Sequence, residues 1–519
     1  MSRNQTTVAR RRRLPAMALW ACLVVALLAA SGPQPATAIS YPDPSQLPVI
    51  SELPDPFRFL DGTRVASPAA WQARREELAA YLQHYEYGHL PPAPTGVSAT
   101  RSGNTLTITV TANGRQASFT ATLRLPSGSG PFPAIIMLNP LAASATSRGY
   151  AEVSINPNSI AADSSSKTGA FWQLYGSSNV DTGVLMAWAW GVHRTLDALR
   201  SVPEIDTAKV GVSGYSRYGK AALVAGAFDE RIAATFPGSS GTAGMGNYRF
   251  FFATGSNNET LDDITNAFPF WFTQRFTGFR GRANRLPFDQ HSLAALVAPR
   301  LLLTTNGTEG SDIRTNPQGT SLTYRAARIV YEYLGVPDRI GIAYRPGGHQ
   351  IDMNDYNAIM DFADKYLKGL PVSRTFNNVP YPPSTAAIPW SAPTNNQSPT
   401  PVSPTATRTP TPAGPTATPT GIPTATPTPV GPTATPGTGG TCSPVTSTIT
   451  SPFTYDGAGT FCWRTNRLGS YINSWNLASL RVNGVDYTNR WANSFPAAID
   501  GYWYISYSGQ YGWSHFEIR

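Results

Sequence analysis

Six residues, Gly214-Tyr-Ser-Arg-Tyr-Gly219, link the strand-like run Lys209-Val-Gly-Val-Ser213 to the helix-forming stretch 220–227. A strand that turns sharply into a helix exposes its Ser hydroxyl at the carboxyl edge of a sheet, and the helix N-terminus favours negative charge developing there. Ser216 is therefore the candidate nucleophile. The spacing departs from Gly-x-Ser-x-Gly: Tyr218 stands where the second glycine is expected, and Gly219 comes one position later. A hydroxyl at its free pKa needs a general base, usually a His oriented by a carboxylate. Of six His, His84 and His89 precede the sheet, His193 lies in a helical run, His291 sits in a polar stretch and His515 is in the far C-terminal region. His349, in Tyr344-Arg-Pro-Gly-Gly-His349, follows the last strand-like run, where the order Ser…acid…His places a base. The loop after 300–304 offers two acids, Glu309 and Asp312, of which Asp312 is preferred. Asp352 and Asp355 are expected to cap the C-terminal helix instead.

These side chains need a scaffold. Alternating residues at 106–110 and 117–125 predict antiparallel strands around Asn113-Gly114, and the apolar run 134–138 predicts a buried parallel strand. Further strands are expected at 209–213, 233–236, 300–304 and 340–344. Helices are expected at 182–199, 220–227, near 320–334 and at 355–367. Repeated β-α units indicate an α/β domain of three layers over 39–390 with a mostly parallel sheet.

The 519 residues carry a formal charge of +9, with charged residues at 14% and 45 Gly and 46 Pro, a balance unlike a coiled coil or a fully disordered chain. Arg10 to Arg13, the apolar run 18–30 and Ala36-Thr-Ala38 read as an export signal over 1–38, so the mature chain is expected outside the cell with no membrane anchor. Loss of Arg3 and Arg10 to Arg13 takes the net charge from +9 to +4. No Lys/Arg run follows, which argues against a nucleic-acid partner. Cys442 and Cys462 then remain and are expected to form a disulfide. No Cys-x-x-Cys or His-Glu-x-x-His cluster is present, and neither a metal nor a cofactor is expected. Residues 391–440 are almost wholly Pro, Thr, Ala, Gly and Ser, an extended linker. Residues 441–519 hold five of the twelve Trp and read as a small β-sandwich or barrel.

Gly214-Tyr-Ser-Arg-Tyr-Gly-Lys220 resembles the signature of the glucuronoyl esterases, carbohydrate esterase family 15, as do MAWAWGVHRTLDALRS (186–201), LPFDQHSLAALVAPR (286–300) and the GGH loop. The resemblance implies an α/β-hydrolase fold and cleavage of 4-O-methyl-glucuronoyl esters that join glucuronoxylan to lignin. It implies Ser216 as nucleophile, His349 as base and Arg217 as oxyanion stabiliser. Lys220, Glu259, Trp271 and Arg314 fall at sugar-contacting positions. Three departures stand out: Ser239 where many members carry a catalytic Glu, Arg314 where the family has a sugar-stacking Trp, and Asn258 before Glu259. Asp312-Ile-Arg-Thr-Asn-Pro-Gln-Gly keeps the first Asp of a pattern in which some members place the acid, favouring Asp312. The C-terminal region resembles carbohydrate-binding module family 64, which implies binding to crystalline cellulose through Trp475, Trp491, Trp503 and Trp513. The expected protein is a monomeric, secreted, wall-anchored esterase. An acetyl-xylan or feruloyl esterase, or a decayed cellulose-anchored binding protein, are the alternatives.

Overall fold

The structure is a computed structural model that describes residues 41–176, 181–252, 258–394 and strand segments between 447 and 518. Its larger part is built on nine strands: β1 (Gly96–Ser102), β2 (Thr105–Ala112), β3 (Arg115–Arg124), β4 (Phe132–Met137), β5 (Ala151–Ile155), β6 (Ile205–Tyr215), β7 (Ala234–Gly238), β8 (Leu301–Gly307) and β9 (Ile340–Arg345). They form one sheet in the order β1-β2-β3-β5-β4-β6-β7-β8-β9. The first three strands and the β3–β5 junction are antiparallel, and every pairing from β5 across to β9 is parallel.

The β2–β3 hairpin turns at Asn113 and Gly114, with φ of 53° and 68°. Two successive left-handed residues match the right-handed twist of the flanking strands, which Asn-Gly accommodates at little cost. In β4, Ala134, Ile135 and Ile136 are wholly buried. Ile136 packs with Trp188 and Leu223 in one cluster, while Ile135 and Met137 pack with Tyr356, Ile359 and Met360 in another. A strand buried on both faces needs helices on both sides, and the three-layer arrangement follows. Helix Val184–Leu199 is buried along most of its length. It docks on helix Arg217–Phe228 through the His193 Nε2–H bond to the Ala225 carbonyl, 3.0 Å.

Two strands escaped the sequence pattern. β1 is an edge strand whose residues are half-buried or exposed, so no apolar alternation marks it. β5 carries Glu152 inside a buried run, where its carboxylate accepts from the Ala145 N–H at 2.6 Å and Ser144 Oγ at 2.8 Å. A charge satisfied only by tertiary partners hides the apolar signal.

Glu86, at the end of the turn Leu82–Tyr87, is also wholly buried. Its Oε1 accepts from Tyr248 Oη at 2.5 Å and Gln290 Nε2 at 2.9 Å. Burial pushes its carboxyl up to about 8 against these bonds. From about pH 5 to 8 the unfolded chain has lost this proton and the folded chain keeps it, so stability falls as pH rises through that window. Glu86→Gln has no proton to lose and should flatten the dependence of Tm on pH between 5 and 8. Thermal melts across that range check this, and parallel wild-type and variant curves would refute it.

The C-terminal strands form two further sheets, one of five strands and one of four, as expected of an all-β region. Trp463, Leu480, Val482, Ile505 and Tyr507 are buried, with the Trp463 and Tyr507 rings 5.4 Å apart. Strands Ile472–Trp475 and Trp491–Ala492 pair Asn473 with Trp491. Trp503 opposite Thr465 begins strand Trp503–Gly509. The side chains of these three Trp, and the whole of Trp513, fall outside the described residues. Cys462 is buried, and Cys442 lies outside the described residues. So do residues 1–38, expected as an export signal, and the expected linker from 395 onward. Among the described residues no helix is long and apolar enough to cross a membrane.

Candidate active site

β6 lies in the middle of the parallel strands and ends at Tyr215, one residue before the turn into helix Arg217–Phe228. Ser216 makes that turn with φ 59° and ψ −127°. A Cβ on Gly214 would meet the Tyr218 carbonyl oxygen at 2.0 Å, and one on Gly219 would meet the Gly238 oxygen at 2.8 Å. Both glycines are needed for the chain to close this tightly, which explains the Gly-x-Ser-x-x-Gly spacing. Position 218 needs no glycine because Tyr218 turns its ring onto Trp188, 5.2 Å away. Strain at Ser216 is the usual mark of a nucleophile elbow.

His349 Nε2 lies 2.8 Å from Ser216 Oγ, and its Nδ1 lies 2.7 Å from Asp312 Oδ1. Asp312 is wholly buried. It also accepts from the Gly307 N–H, from Ser239 Oγ at 2.7 Å and from Thr315 Oγ1 at 3.2 Å. A carboxylate only accepts, so the proton between it and His349 sits on Nδ1, which leaves Nε2 free to accept from the serine. Of the two candidate acids, Asp312 is the one that lies against His349. Glu309 is exposed, and its carboxylate accepts from the Gly347 N–H at 3.2 Å. Asp352 and Asp355 form the capping box of helix Met353–Ala363, as expected.

The loop carrying His349 is fastened from beneath by Arg345, which is buried. Arg345 donates to Asp355 Oδ2 at 2.6 Å, Tyr215 Oη at 3.0 Å, the carbonyls of Pro346 and Gly348 at 3.2 Å, and the Gln350 carbonyl. A buried guanidinium with its donors used in this way rigidifies the loop. The other described His have structural partners. His291 donates Nε2–H to the Pro54 carbonyl at 2.8 Å, and burial pushes its pKa down to about 4. His84 stacks on Tyr41 and His89 pairs with Asp181.

Arg217, the first helical residue after the serine, has a side chain 40% exposed. Its Nη1 donates to Asp163 Oδ2 at 2.5 Å, and its guanidinium carbon is 5.4 Å from the rings of both Phe268 and Trp271. Trp271 departs from the sugar contact expected of it. It is 2% exposed, stacks on Phe268 at 4.0 Å and donates its indole N–H to Asp163 Oδ1 at 2.6 Å. Shielded on both sides, it braces Arg217 and offers no open face.

Lys220 departs as well. It is buried, and its Nζ donates to the carbonyls of Ser240 and Thr242 at 2.8 and 2.6 Å and to Glu259 Oε2 at 2.8 Å. An ammonium has three protons, and all three are committed. Burial lowers the Lys220 pKa and the Glu259 carboxylate opposes that shift. A buried ammonium without acceptors is too costly, so the lysine serves the loop after β7 and aims Glu259, whose side chain is 25% exposed. Arg314 is exposed, and its carbonyl accepts from the Glu259 N–H at 3.1 Å. Arg217 and Lys220 are thus each paired with a carboxylate, Asp163 and Glu259.

Two positions had no role assigned from sequence. Asp163 lies far from Arg217 along the chain, in a polar loop with no distinguishing spacing. Ser239 was visible only as a replaced Glu, and here it holds the acid from the end of β7. The site as a whole can carry out acyl transfer: a nucleophile, a base, an orienting carboxylate and a cation near the position where an oxyanion forms.

The family model described as "Glucuronyl esterase, fungi" matches residues 108–335, and that for carbohydrate-binding module 64 matches residues 444–519. A 4-O-methyl-glucuronoyl methylesterase of Podospora anserina is 39% identical over 356 residues, covering 65% of this chain and 72% of that protein. The solved carbohydrate esterase family 15 glucuronoyl esterase of Caldicellulosiruptor kristjansonii is 44% identical with a TM-score of 0.63, covering 67% of this chain and 99% of the other. A serine-to-alanine mutant of the Sporotrichum thermophile glucuronoyl esterase, solved with methyl 4-O-methyl-β-D-glucopyranuronate, is 32% identical with a TM-score of 0.59, covering 64% and 91%.

Proposed function

The chain belongs to the glucuronoyl esterases of carbohydrate esterase family 15, which are carboxylic ester hydrolases, and on that premise we propose that it cleaves 4-O-methyl-glucuronoyl esters through Ser216, His349 and Asp312. The observation that carries this reading is the unbroken relay from Asp312 Oδ1 through His349 to Ser216 Oγ, at 2.7 and 2.8 Å, beside Arg217.

Ser216 Oγ attacks the ester carbonyl carbon and passes its proton to His349 Nε2. The imidazolium is stabilised by Asp312, and the oxyanion takes N–H bonds from Arg217 and from the first turn of the helix behind the serine. The tetrahedral intermediate collapses, the C–O bond to the alcohol breaks, and His349 returns the proton to the leaving oxygen. Water, deprotonated by His349, then attacks the acyl-enzyme. Its collapse frees the uronic acid and returns the proton to Ser216. Glu259, aimed by Lys220, is the candidate ligand for the sugar hydroxyls.

The biological substrate proposed is the ester between glucuronoxylan and lignin. The modules proposed are an export signal at 1–38, the esterase at 39–390, a linker at 391–440 and the carbohydrate-binding module at 441–519. Holding a secreted, monomeric enzyme on crystalline cellulose through Trp475, Trp491, Trp503 and Trp513 would raise its effective concentration near xylan without new contacts at the active site. The Cys442–Cys462 disulfide would staple that small module.

Rates on benzyl glucuronate, p-nitrophenyl acetate and methyl ferulate test the acyl group. The uronate ester should have the highest kcat/KM, by about a hundredfold or more, since a site built to bond sugar hydroxyls rejects acyl groups that lack them. Turnover of only p-nitrophenyl acetate and methyl ferulate would replace this reading with an acetyl-xylan or feruloyl esterase.

A further inference from the structure

The ester that enters this site is neutral at its reacting carbonyl, whereas the acid that leaves is an anion at the same place. A bare guanidinium beside Ser216 would favour the product, because charge-assisted bonds from Arg to a carboxylate are roughly twice as strong as neutral ones. Arg217 is not bare. Asp163 Oδ2 holds its Nη1 at 2.5 Å, and the other oxygen, Oδ1, is bound at 2.6 Å to the indole N–H of buried Trp271. Trp271 is in turn fixed by its stack on Phe268, with the ring planes 6° apart. The Asp163 side chain is 17% exposed and that of Arg217 is 40% exposed. The carboxylate therefore grips the guanidinium from the protected side and leaves the remaining N–H groups facing outward. The nearby cation Lys220, 5.9 Å from the Trp271 ring, is matched by Glu259. No other carboxylate in the described structure bonds to Arg217.

We infer that Asp163 is a positioning residue that both aims Arg217 and cancels its charge, so that the site donates hydrogen bonds to the transient oxyanion yet releases the uronate product. This rests on the proposed ester hydrolysis at Ser216. A guanidinium paired at one edge still stabilises an oxyanion, whose developing charge is excluded from water and is met by these N–H groups. A carboxylate product, stable in water, gains little from a pair with no net charge. Removing the Asp163 charge should therefore impair turnover and, at the same time, tighten binding of the product. Loss of packing alone would weaken both.

The test uses the full chain carrying Ser216→Ala, which cannot turn over. Sodium glucuronate and methyl glucuronate are titrated by calorimetry with and without Asp163→Asn. The Asn variant should bind glucuronate about tenfold more tightly, with methyl glucuronate affinity changed less than about threefold. Asp163→Ser, which brings no amide of its own, should shift glucuronate affinity the same way. With Ser216 intact, Asp163→Asn should show a lower kcat and stronger inhibition by added glucuronate. Unchanged or weaker glucuronate binding in both variants, with the methyl ester still bound, overturns this inference alone. Failure of the Ser216→Ala protein to bind methyl glucuronate at all would sink the substrate reading and take this inference with it.

Discussion

Ser216→Ala should lower kcat on a glucuronoyl ester about 10⁶-fold, the scale on which removing the nucleophile of a triad acts. The loss comes from one atom. Ser216 Oγ caps nothing in its helix and, among the described residues, bonds to His349 Nε2 alone, so its removal leaves the elbow backbone untouched. Alanine bears the same cost as serine at φ 59°, because both carry a Cβ. The variant should therefore melt within a degree or two of wild type and bind methyl glucuronate with nearly unchanged affinity. Initial rates on benzyl glucuronate, together with calorimetric binding of the methyl ester, measure both sides. Retention of more than about 1% of the activity would mean that another group attacks. Trace activity equal in wild type and variant would mark a decayed site that only binds.

Asp312→Asn should reduce kcat about 10⁴-fold with a small change in KM, the size of effect expected when the imidazole is held in the wrong tautomer. The orientation of the new amide is dictated by its surroundings. The Gly307 N–H points at Oδ2 and, as a backbone donor, cannot turn away. The Asn carbonyl oxygen must face it, which turns the Asn NH₂ toward His349. Nδ1 then has to accept, the ring proton moves to Nε2, and that proton points at Ser216 Oγ. The base is lost without any loss of packing. Glu309→Gln is the matched control: its exposed carboxylate accepts from the Gly347 N–H, and the variant should stay near wild type. Comparable losses in the two variants, or a loss below tenfold in Asp312→Asn, would assign the acid elsewhere.

Much of this site could be read before folding because the nucleophile elbow is a local structure. Gly214, Ser216 and Gly219 meet their constraints within six residues, and a strand on one side with a helix on the other completes the pattern. His349 could be found by elimination among six His and by its place after the last strand. Asp312 was preferred over Glu309 through the family pattern, because by residue type alone two carboxylates three residues apart in a loop differ only in which one turns inward. The helix-capping roles of Asp352 and Asp355 were again local, and they hold.

The surroundings of Lys220 and Trp271 could not be read from the sequence for one common reason. Their residue types suit sugar binding, but their roles depend on what the chain brings behind them. The backbone carbonyls of 240 and 242 and the Glu259 carboxylate use all of the lysine's protons. Asp163, more than fifty positions before Arg217, uses both the Trp271 indole and one edge of the guanidinium.

The sequence by itself determined the α/β architecture, the turn that exposes Ser216 and the order of nucleophile, acid and base, since each is set by short-range backbone geometry and periodic burial. Only the tertiary structure decided which carboxylate orients His349 and which cations beside the serine are already neutralised. Hydrogen bonds and ion pairs between distant loops depend on approach to within about 3 Å, a quantity that residue order does not carry.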